Sequence, residues 1–458
     1  MSRSFDAIIV GAGQAGPALA ARLTGAGMKV ALVERHHVGG TCVNTGCKPT
    51  KTMVASAYAA HLARRGADYG VGIGAPITID MGKVHARAEK IILDSRKGNE
   101  DWLVAMEGLT FLRGHARFIG PRMLAVGDET ITAPRIFLNV GGRPAIPDLP
   151  GVADVPFLTN KGMIALKEAP AHLVVVGGSY IGLEFAQMFR RFGSKVSIVE
   201  MGPRLIGRED EDVSEEIRGI LTGEGIEVRT SATCITMKRG DAGVIVGVDC
   251  GEGAPEIAGS HVLLATGRRP NTDDLGLDAA GIATDKRGYV TVDDGLATSA
   301  EGVWALGDCN GKGAFTHTAW NDHEIVAANL IDGESRRVSD RIPGYALYID
   351  PPLGRVGMTL AQARATGRPL LHAKRPMKRV GRAVEKDETL GFMSLTADAE
   401  TRKILGAAIL GTGGDEAIHA ILNLMNAGAT VDRLRWAVPI HPTVSELLPT
   451  LAGDLAPV

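Results

Sequence analysis

Apolar residues in this chain fall into short continuous runs that end in glycine, rather than into long helical stripes or strict alternation. Residues 7–16, AIIVGAGQAG, open the pattern: four apolar positions, then glycines, then the Ala/Leu-rich stretch PALAARL. A run that short, bounded by turn residues, predicts a strand buried on both faces, and the stretch after it predicts a helix. Residues 173–182, LVVVGGSYIG, repeat the pattern 166 positions later. Each copy leads to a second strand, KVALVE at 29–34 and KVSIVE at 195–200, whose last residue is Glu34 or Glu200. Both acids lie 23 residues beyond the first loop glycine, Gly11 or Gly177. Two copies of a dinucleotide-binding βαβ unit are predicted.

Three further runs, LNVGGRP (138–144), LLATGRRPN (263–271) and VWALGDCNG (303–311), are short strands running into glycines and read as strand ends at nucleotide sites. From about residue 342 the texture changes to TLGFMSLTAD (389–398) and KILGAAILG (403–411), then a helical stretch over 415–425. No dinucleotide fingerprint occurs there, so a third domain with another task is expected. The fold class is α/β: two Rossmann-like dinucleotide-binding domains plus a C-terminal α+β domain.

Composition narrows the function classes. Hydrophobic residues make up 45% and charged residues 22% of 458, and 50 Lys+Arg against 52 Asp+Glu leave a net charge of −2. That argues against disorder and against non-specific nucleic-acid binding. Glycine is the outlier: 59 residues, about 13% against an average near 7%, which suits many tight turns and backbone-lined loops. Five cysteines (Cys42, Cys47, Cys234, Cys250, Cys309) are too few for a secreted disulfide scaffold of this size, so a reducing cytoplasm is expected. The N-terminus lacks a signal-peptide core and no run of about 18 apolar residues occurs, so neither export nor a membrane span is expected.

In the first loop Gly11, Gly13 and Gly16 satisfy G-x-G-x-x-G: one glycine for the turn, one for close approach of backbone to a pyrophosphate, one for helix-on-strand packing. Glu34 is placed to accept hydrogen bonds from a ribose diol. The second loop keeps Gly177, Gly178 and Gly182, with Ser179 where the middle glycine is expected. A carboxylate at Glu200 repels a 2′-phosphate and favours NADH over NADPH, although Arg204 and Arg208 nearby oppose that preference. The plainer alternative for Glu200 is a solvated strand end.

The run GGTCVNTGCKPTK (39–51) sets Cys42 and Cys47 five apart, with Pro49 and Lys51 following as though a helix begins there. Thiolates at a helix N-terminus are stabilised by unpaired amides and by cations such as Lys48 and Lys51. Three readings are open: a redox-active disulfide, a zinc site with His36 and His37, or two inert buried cysteines. The adjacent dinucleotide loop favours the first, and a five-residue spacing is not a usual zinc clip.

GGTCVNTGCKPTK after GAGQAG, followed by GGSYIGLE, ATGRRPN, ALGD and HPTVSE in order, resembles the class I pyridine nucleotide-disulfide oxidoreductases, the family of glutathione reductase, dihydrolipoamide dehydrogenase and mercuric reductase. The likeness spans essentially the whole chain. It implies that Gly11, Gly13, Gly16, Glu34, Gly40, Thr41, Lys51, Gly307 and Asp308 bind FAD, and that Gly177, Gly178, Gly182, Glu200 and Gly267 bind the nicotinamide cofactor. It further implies that Cys47 is the flavin-side, charge-transfer thiol and Cys42 the interchange thiol. Lys51 and Glu184 then form an ion pair beside the flavin, and Tyr180 covers the nicotinamide pocket. Residues 1–150 and 271–340 become the FAD domain, 151–270 the NAD(P) domain and 341–458 the dimerisation domain of a homodimer.

His441 and Glu446 in IHPTVSELLP fit an acid/base pair for thiol exchange, the carboxylate fixing the imidazole tautomer; in the family this pair reaches the disulfide of the other subunit. They also fit a plain capping box, Thr443-x-x-Glu446, before an apolar run. The expected reaction passes electrons from NADH, or NADPH, through flavin and the cysteine pair to a disulfide or dithiol, with metal-ion or quinone reduction as the alternative. Mercury reduction is not expected. The terminal LPTLAGDLAPV has no cysteine, no metal-capture domain precedes Phe5, and His441 stands where the mercury-reducing members usually carry tyrosine. No metal site, nucleic-acid partner or membrane partner is expected.

Overall fold

A computed structural model of the chain describes residues 2–241, 243–249 and 255–458; Cys250 lies outside the described residues. The apolar runs form parallel strands. Ala7–Val10 sits between Val30–Glu34 and Arg135–Leu138, and Leu109–Arg113 and Val303–Ala305 complete a five-stranded parallel sheet. Its centre has no solvent contact: Ile8, Ile9, Leu32 and Phe137 are fully buried, which is why these strands are apolar on both faces. The repeat carries over to the second unit, where His172–Val176 pairs in parallel with Lys195–Val199 and His261–Leu264, and Glu227–Arg229 forms the edge. Both units insert an antiparallel meander before one of their parallel strands: Ala116–Gly120, Met123–Val126 and Glu129–Thr132 before Arg135–Leu138 in the first, Thr233–Gly240, Gly243–Asp249 and Glu256–Gly259 before His261–Leu264 in the second.

Chain enters and leaves the second unit side by side. Gly142–Pro144 on the way in pairs antiparallel with Arg268–Pro270 on the way out.

The last part is α+β. Six antiparallel strands lie in the order Gly344–Leu347, Leu353–Gly357, Ile404–Leu410, Phe392–Asp398, Leu370–Pro376, Ala456–Pro457. Helix Gly414–Asn426 crosses the sheet, burying Ala417, Ile418 and Ile421. Met53 and Ala57 of helix Cys47–Arg64, Phe185 and Phe189 of helix Tyr180–Phe192, and Leu353 and Leu410 of the antiparallel sheet share one apolar core. That shared core fixes the cysteine helix against both other parts of the chain. Among the described residues, no helix is long and apolar enough to cross a membrane.

Candidate active site

Each glycine loop is as tight as the backbone allows. Gly11 has φ +108°, and a Cβ there would lie 2.2 Å from the Asn139 carbonyl oxygen; one on Gly16 would lie 2.2 Å from the Gly11 oxygen. Gly177 (φ +115°) and Gly182 repeat this against Ala265 and Gly177, at 2.5 and 2.1 Å. Only glycine fits such positions. The acids at the ends of the second strands are also equivalent: Glu34 accepts from the Ala12 and His36 amides at 2.8 and 2.7 Å, and Glu200 from the Gly178 and Gly202 amides at 2.6 and 2.7 Å. Each carboxylate is therefore fixed toward its loop instead of standing free in solvent. Ser179 is exposed and its side chain makes no cap bond at the start of helix Tyr180–Phe192.

One cleft of about 1320 Å³ runs from Glu34 along Gly13, Gly40 and Thr41 to Cys42, Cys47 and Lys51, with Gly307, Asp308, Tyr180 and Glu184 on its walls. A single helical turn, Gly40–Asn44, carries Cys42, and Gly46 precedes the helix Cys47–Arg64, of which Cys47 is the first residue. Cys47 Sγ lies 3.4 Å from the Thr316 hydroxyl. A hydrogen bond from Cys42 is the main cause that draws the Cys47 thiol down to about 6, with Thr316 and Lys51 adding to it and burial opposing it. The same bond, with burial, pushes the Cys42 thiol far up. Cys47 is thus the more acidic thiol of the pair, chiefly through the Cys42 hydrogen bond, with the helix start and the Lys51 charge acting in the same direction.

Lys51 Nζ meets Glu184 Oε2 at 2.6 Å and lies 4.5 Å from the Tyr348 ring centre, while the Tyr348 amide donates to the other Glu184 oxygen at 3.1 Å. Glu184 is buried, so the lysine neutralises a charge that water does not reach. Burial raises the Asp308 carboxyl above its usual range, and Arg268, at 3.4 Å from Asp308 and 3.4 Å from the Thr41 hydroxyl, opposes this.

His441 and Glu446 are not in this cleft. His441 Nδ1 is 2.8 Å from Glu446 Oε2, with the imidazole 80% exposed on an arm that also exposes Trp436, Val438 and Ile440. The capping box of the sequence reading is made only by half. The Thr443 amide donates to Glu446 at 3.4 Å, but the Thr443 hydroxyl donates back to the Ile440 carbonyl, and a 3-10 turn, Ser445–Leu447, follows in place of an α-helical first turn. Among the described residues no three His, Cys, Asp or Glu side chains gather in metal-ligating geometry, which leaves the zinc reading of His36 and His37 without a ligand set there.

Residues 5–322 match the family described as pyridine nucleotide-disulphide oxidoreductase, and 343–452 match its dimerisation domain. The chain belongs to this family. It is an oxidoreductase and a flavoprotein that uses FAD and a pyridine nucleotide, and its dimerisation domain makes it a homodimer. It is 35% identical to a probable pyridine nucleotide-disulfide oxidoreductase, RclA, of Escherichia coli (strain K12), over 97% of this chain and 98% of the relative. It is 31% identical to a mercuric reductase of Staphylococcus aureus, over 96% of this chain and 81% of that one. A solved structure of a Cu(II) complex of HOCl-induced flavoprotein disulfide reductase RclA from Escherichia coli superposes with a TM-score of 0.90 at 34% identity, covering 98% and 99% of the two chains.

Several residues of the site were not singled out from the sequence. Buried Asn139 accepts from the Gly16 amide at 3.1 Å and donates to the Leu306 carbonyl at 3.3 Å, tying the first loop to the strand that returns to its sheet. Arg268 and Asn139 lie inside the glycine-ended runs already noted, which was a usable signal. Thr316 and Tyr348 had none, since nothing local places them beside Cys47 and Lys51.

Proposed function

We propose that the chain reduces disulfides, or oxidises dithiols, through Cys42 and Cys47. The observation that carries this is the thiolate-favouring position of Cys47 at a helix N-terminus, within the cleft that begins at the first glycine loop. The cleft fits FAD: its glycines leave no room for a Cβ where a diphosphate approaches backbone, and Lys51, Glu184 and the cysteines crowd its far end. In this reading Gly11, Gly13, Gly16, Glu34, Gly40, Thr41, Gly307 and Asp308 hold the dinucleotide, and Lys51 with Glu184 lines its ring. The flavin, when bound, supplies the two-electron link between nicotinamide and the cysteine pair.

The chain's own residues do the sulfur chemistry. With the pair reduced, Cys42 loses its proton to a base and attacks one sulfur of the substrate disulfide; that S–S bond breaks, a Cys42–substrate disulfide forms and the first substrate thiolate leaves. Cys47 then attacks the Cys42 sulfur, the mixed disulfide breaks, the second substrate thiolate leaves and the Cys42–Cys47 disulfide closes. Two electrons have passed to the substrate, and the two leaving thiolates take up protons. His441, oriented by Glu446, is the base, and its exposure outside the cleft of its own chain supports service to the cleft of a second copy.

Residues 1–150 and 271–340 are assigned to the FAD domain, 151–270 to the nicotinamide domain and 341–458 to the dimerisation domain, a division supported by the sheet to which each strand belongs. Gly177, Gly178, Gly182, Glu200 and Gly267 hold the nicotinamide cofactor, with NADH preferred because of the Glu200 charge. A thiol pair that must be re-reduced in each cycle favours the cytoplasm. Steady-state assays of the holoenzyme with NADH test the reading: small disulfides or dithiols are turned over, and Cys42→Ser or Cys47→Ser abolishes turnover. The second reading, metal-ion or quinone reduction, is favoured by the printed names of the mercuric reductase and Cu(II)-bound relatives. Turnover of Cu(II), Hg(II) or quinones with none of disulfides or dithiols overturns the first in its favour.

A further inference from the structure

The loop after Glu200 is built more rigidly than its position requires. Leu205 packs where a Cβ on Gly178 would go, the Ile206 amide donates to the Gly178 carbonyl at 2.9 Å, and Ile206 holds φ +45° although it is β-branched and buried. A β-branched residue in that region is strained and persists only where its surroundings over-determine it. The loop continues into Glu209, whose amide donates to the Ile206 carbonyl at 2.8 Å and whose carboxylate is buried. One Glu209 oxygen accepts from Arg355, with Nε at 3.0 Å; the other accepts from the Tyr345 hydroxyl.

Tyr345 carries this connection to the other end of the site. Its ring stacks on Phe315 (5.8 Å, 10°), and Tyr180 stands edge-on to both, at 5.6 Å from Tyr345 and 6.2 Å from Phe315. Tyr180 and Phe315 line the cleft, while Tyr345 supports them from behind. Burial and Glu209 hold the Tyr345 hydroxyl protonated, so it remains a donor. Tyr180 is itself only two residues beyond Gly178. The chain thus closes a ring, Gly178–Ile206–Glu209–Tyr345–Tyr180, in which the Tyr345 hydroxyl joins the side chains of Glu209 and Tyr180.

We infer that Tyr345 and Glu209 are positioning residues that latch the Tyr180 ring over the cleft, so that the nicotinamide half of the dinucleotide must work against this latch while the adenosine half does not. The inference rests on the assignment of the second loop to the nicotinamide cofactor. Tyr345→Phe keeps the stacked ring and the Glu209–Arg355 pair and removes the Tyr345 hydroxyl, with its bonds to Glu209 and to Tyr180.

Dissociation constants of NAD⁺ and of ADP-ribose, measured on the oxidised holoenzyme by quenching of intrinsic fluorescence, test it without turnover. NAD⁺ is expected to bind Tyr345→Phe roughly three- to tenfold more tightly than wild type, the range of one hydrogen bond, with ADP-ribose unchanged. Tyr180→Ala is expected to tighten NAD⁺ likewise, and adding Tyr345→Phe to it to change nothing further. Equal shifts for both ligands, no shift in either, or an additive double variant overturns the latch. Failure of the underlying assignment looks different: Glu200→Ala then leaves the binding of both ligands unaltered in the wild-type background.

Discussion

Cys47 and Cys42 are chemically alike in sequence and are separated by place alone. Cys47 is held near 6 chiefly by the Cys42 hydrogen bond, so in the reduced protein it is a thiol below that pH and a thiolate above it. Alkylation of Cys47 by iodoacetamide, followed by peptide mass spectrometry, is expected to rise with pH to a plateau with its midpoint about 6, and Cys42→Ala is expected to move the midpoint upward. A midpoint unmoved by Cys42→Ala would show that Lys51 and the helix amides suffice. Glu200 makes the other residue-scale prediction. The carboxylate lies against the Gly178 and Gly202 amides, so NADH should exceed NADPH in kcat/KM by roughly tenfold or more, a charge effect of about 1.4 kcal/mol or more at close range. Glu200→Gln keeps the shape and removes the charge, and is expected to narrow the ratio. A ratio in favour of NADPH in the wild type means that Arg204 and Arg208 dominate.

At the scale of elements, glycines of one composition divide into two kinds. Gly11→Ala drives a Cβ to 2.2 Å from a backbone oxygen at φ +108°, and is expected to lower the melting temperature and leave the purified protein depleted in flavin absorbance. Gly219, inside helix Glu211–Gly223, has nothing within 4 Å, and Gly219→Ala is expected to stabilise by about 0.5–1 kcal/mol in denaturant unfolding. The strand–glycine–helix repeats were legible because strand, turn and helix start are written in about ten adjacent residues. The cysteine helix was legible from GCKPTK for the same reason. What stayed hidden depends on contacts between distant segments: Asn139 under the first loop, Thr316 beside Cys47, Tyr345 behind Tyr180. The pair at 441 and 446 shows the converse, since a local capping signal was present and the Thr443 hydroxyl turned to the Ile440 carbonyl instead.

At the scale of the molecule, the arm at 436–442 offers an apolar surface of the kind a second copy covers: Val438 is 96% exposed in the single chain, beside exposed Trp436, Ile440 and His441. His441→Ala is expected to slow disulfide turnover roughly 10²-fold or more while flavin reduction by NADH, followed by stopped-flow absorbance, stays near wild type. Mixing His441→Ala with Cys47→Ser chains, each inactive alone, should restore about a quarter of the wild-type sites if subunits exchange freely, because only the mixed dimers hold one complete site. Mixed dimers that form and stay inactive would confine His441 to its bond with Glu446. The paired strands Gly142–Pro144 and Arg268–Pro270 have a different reach. Because the polypeptide departs from the first sheet and returns to it through one narrow ribbon, everything between is a cassette on a two-strand stem. Such a cassette can be exchanged for one of another nicotinamide preference by two adjacent splices, provided the incoming piece keeps Tyr180 and Glu184, which it presents to the flavin cleft, and Phe185 and Phe189, which it presents to the cysteine helix.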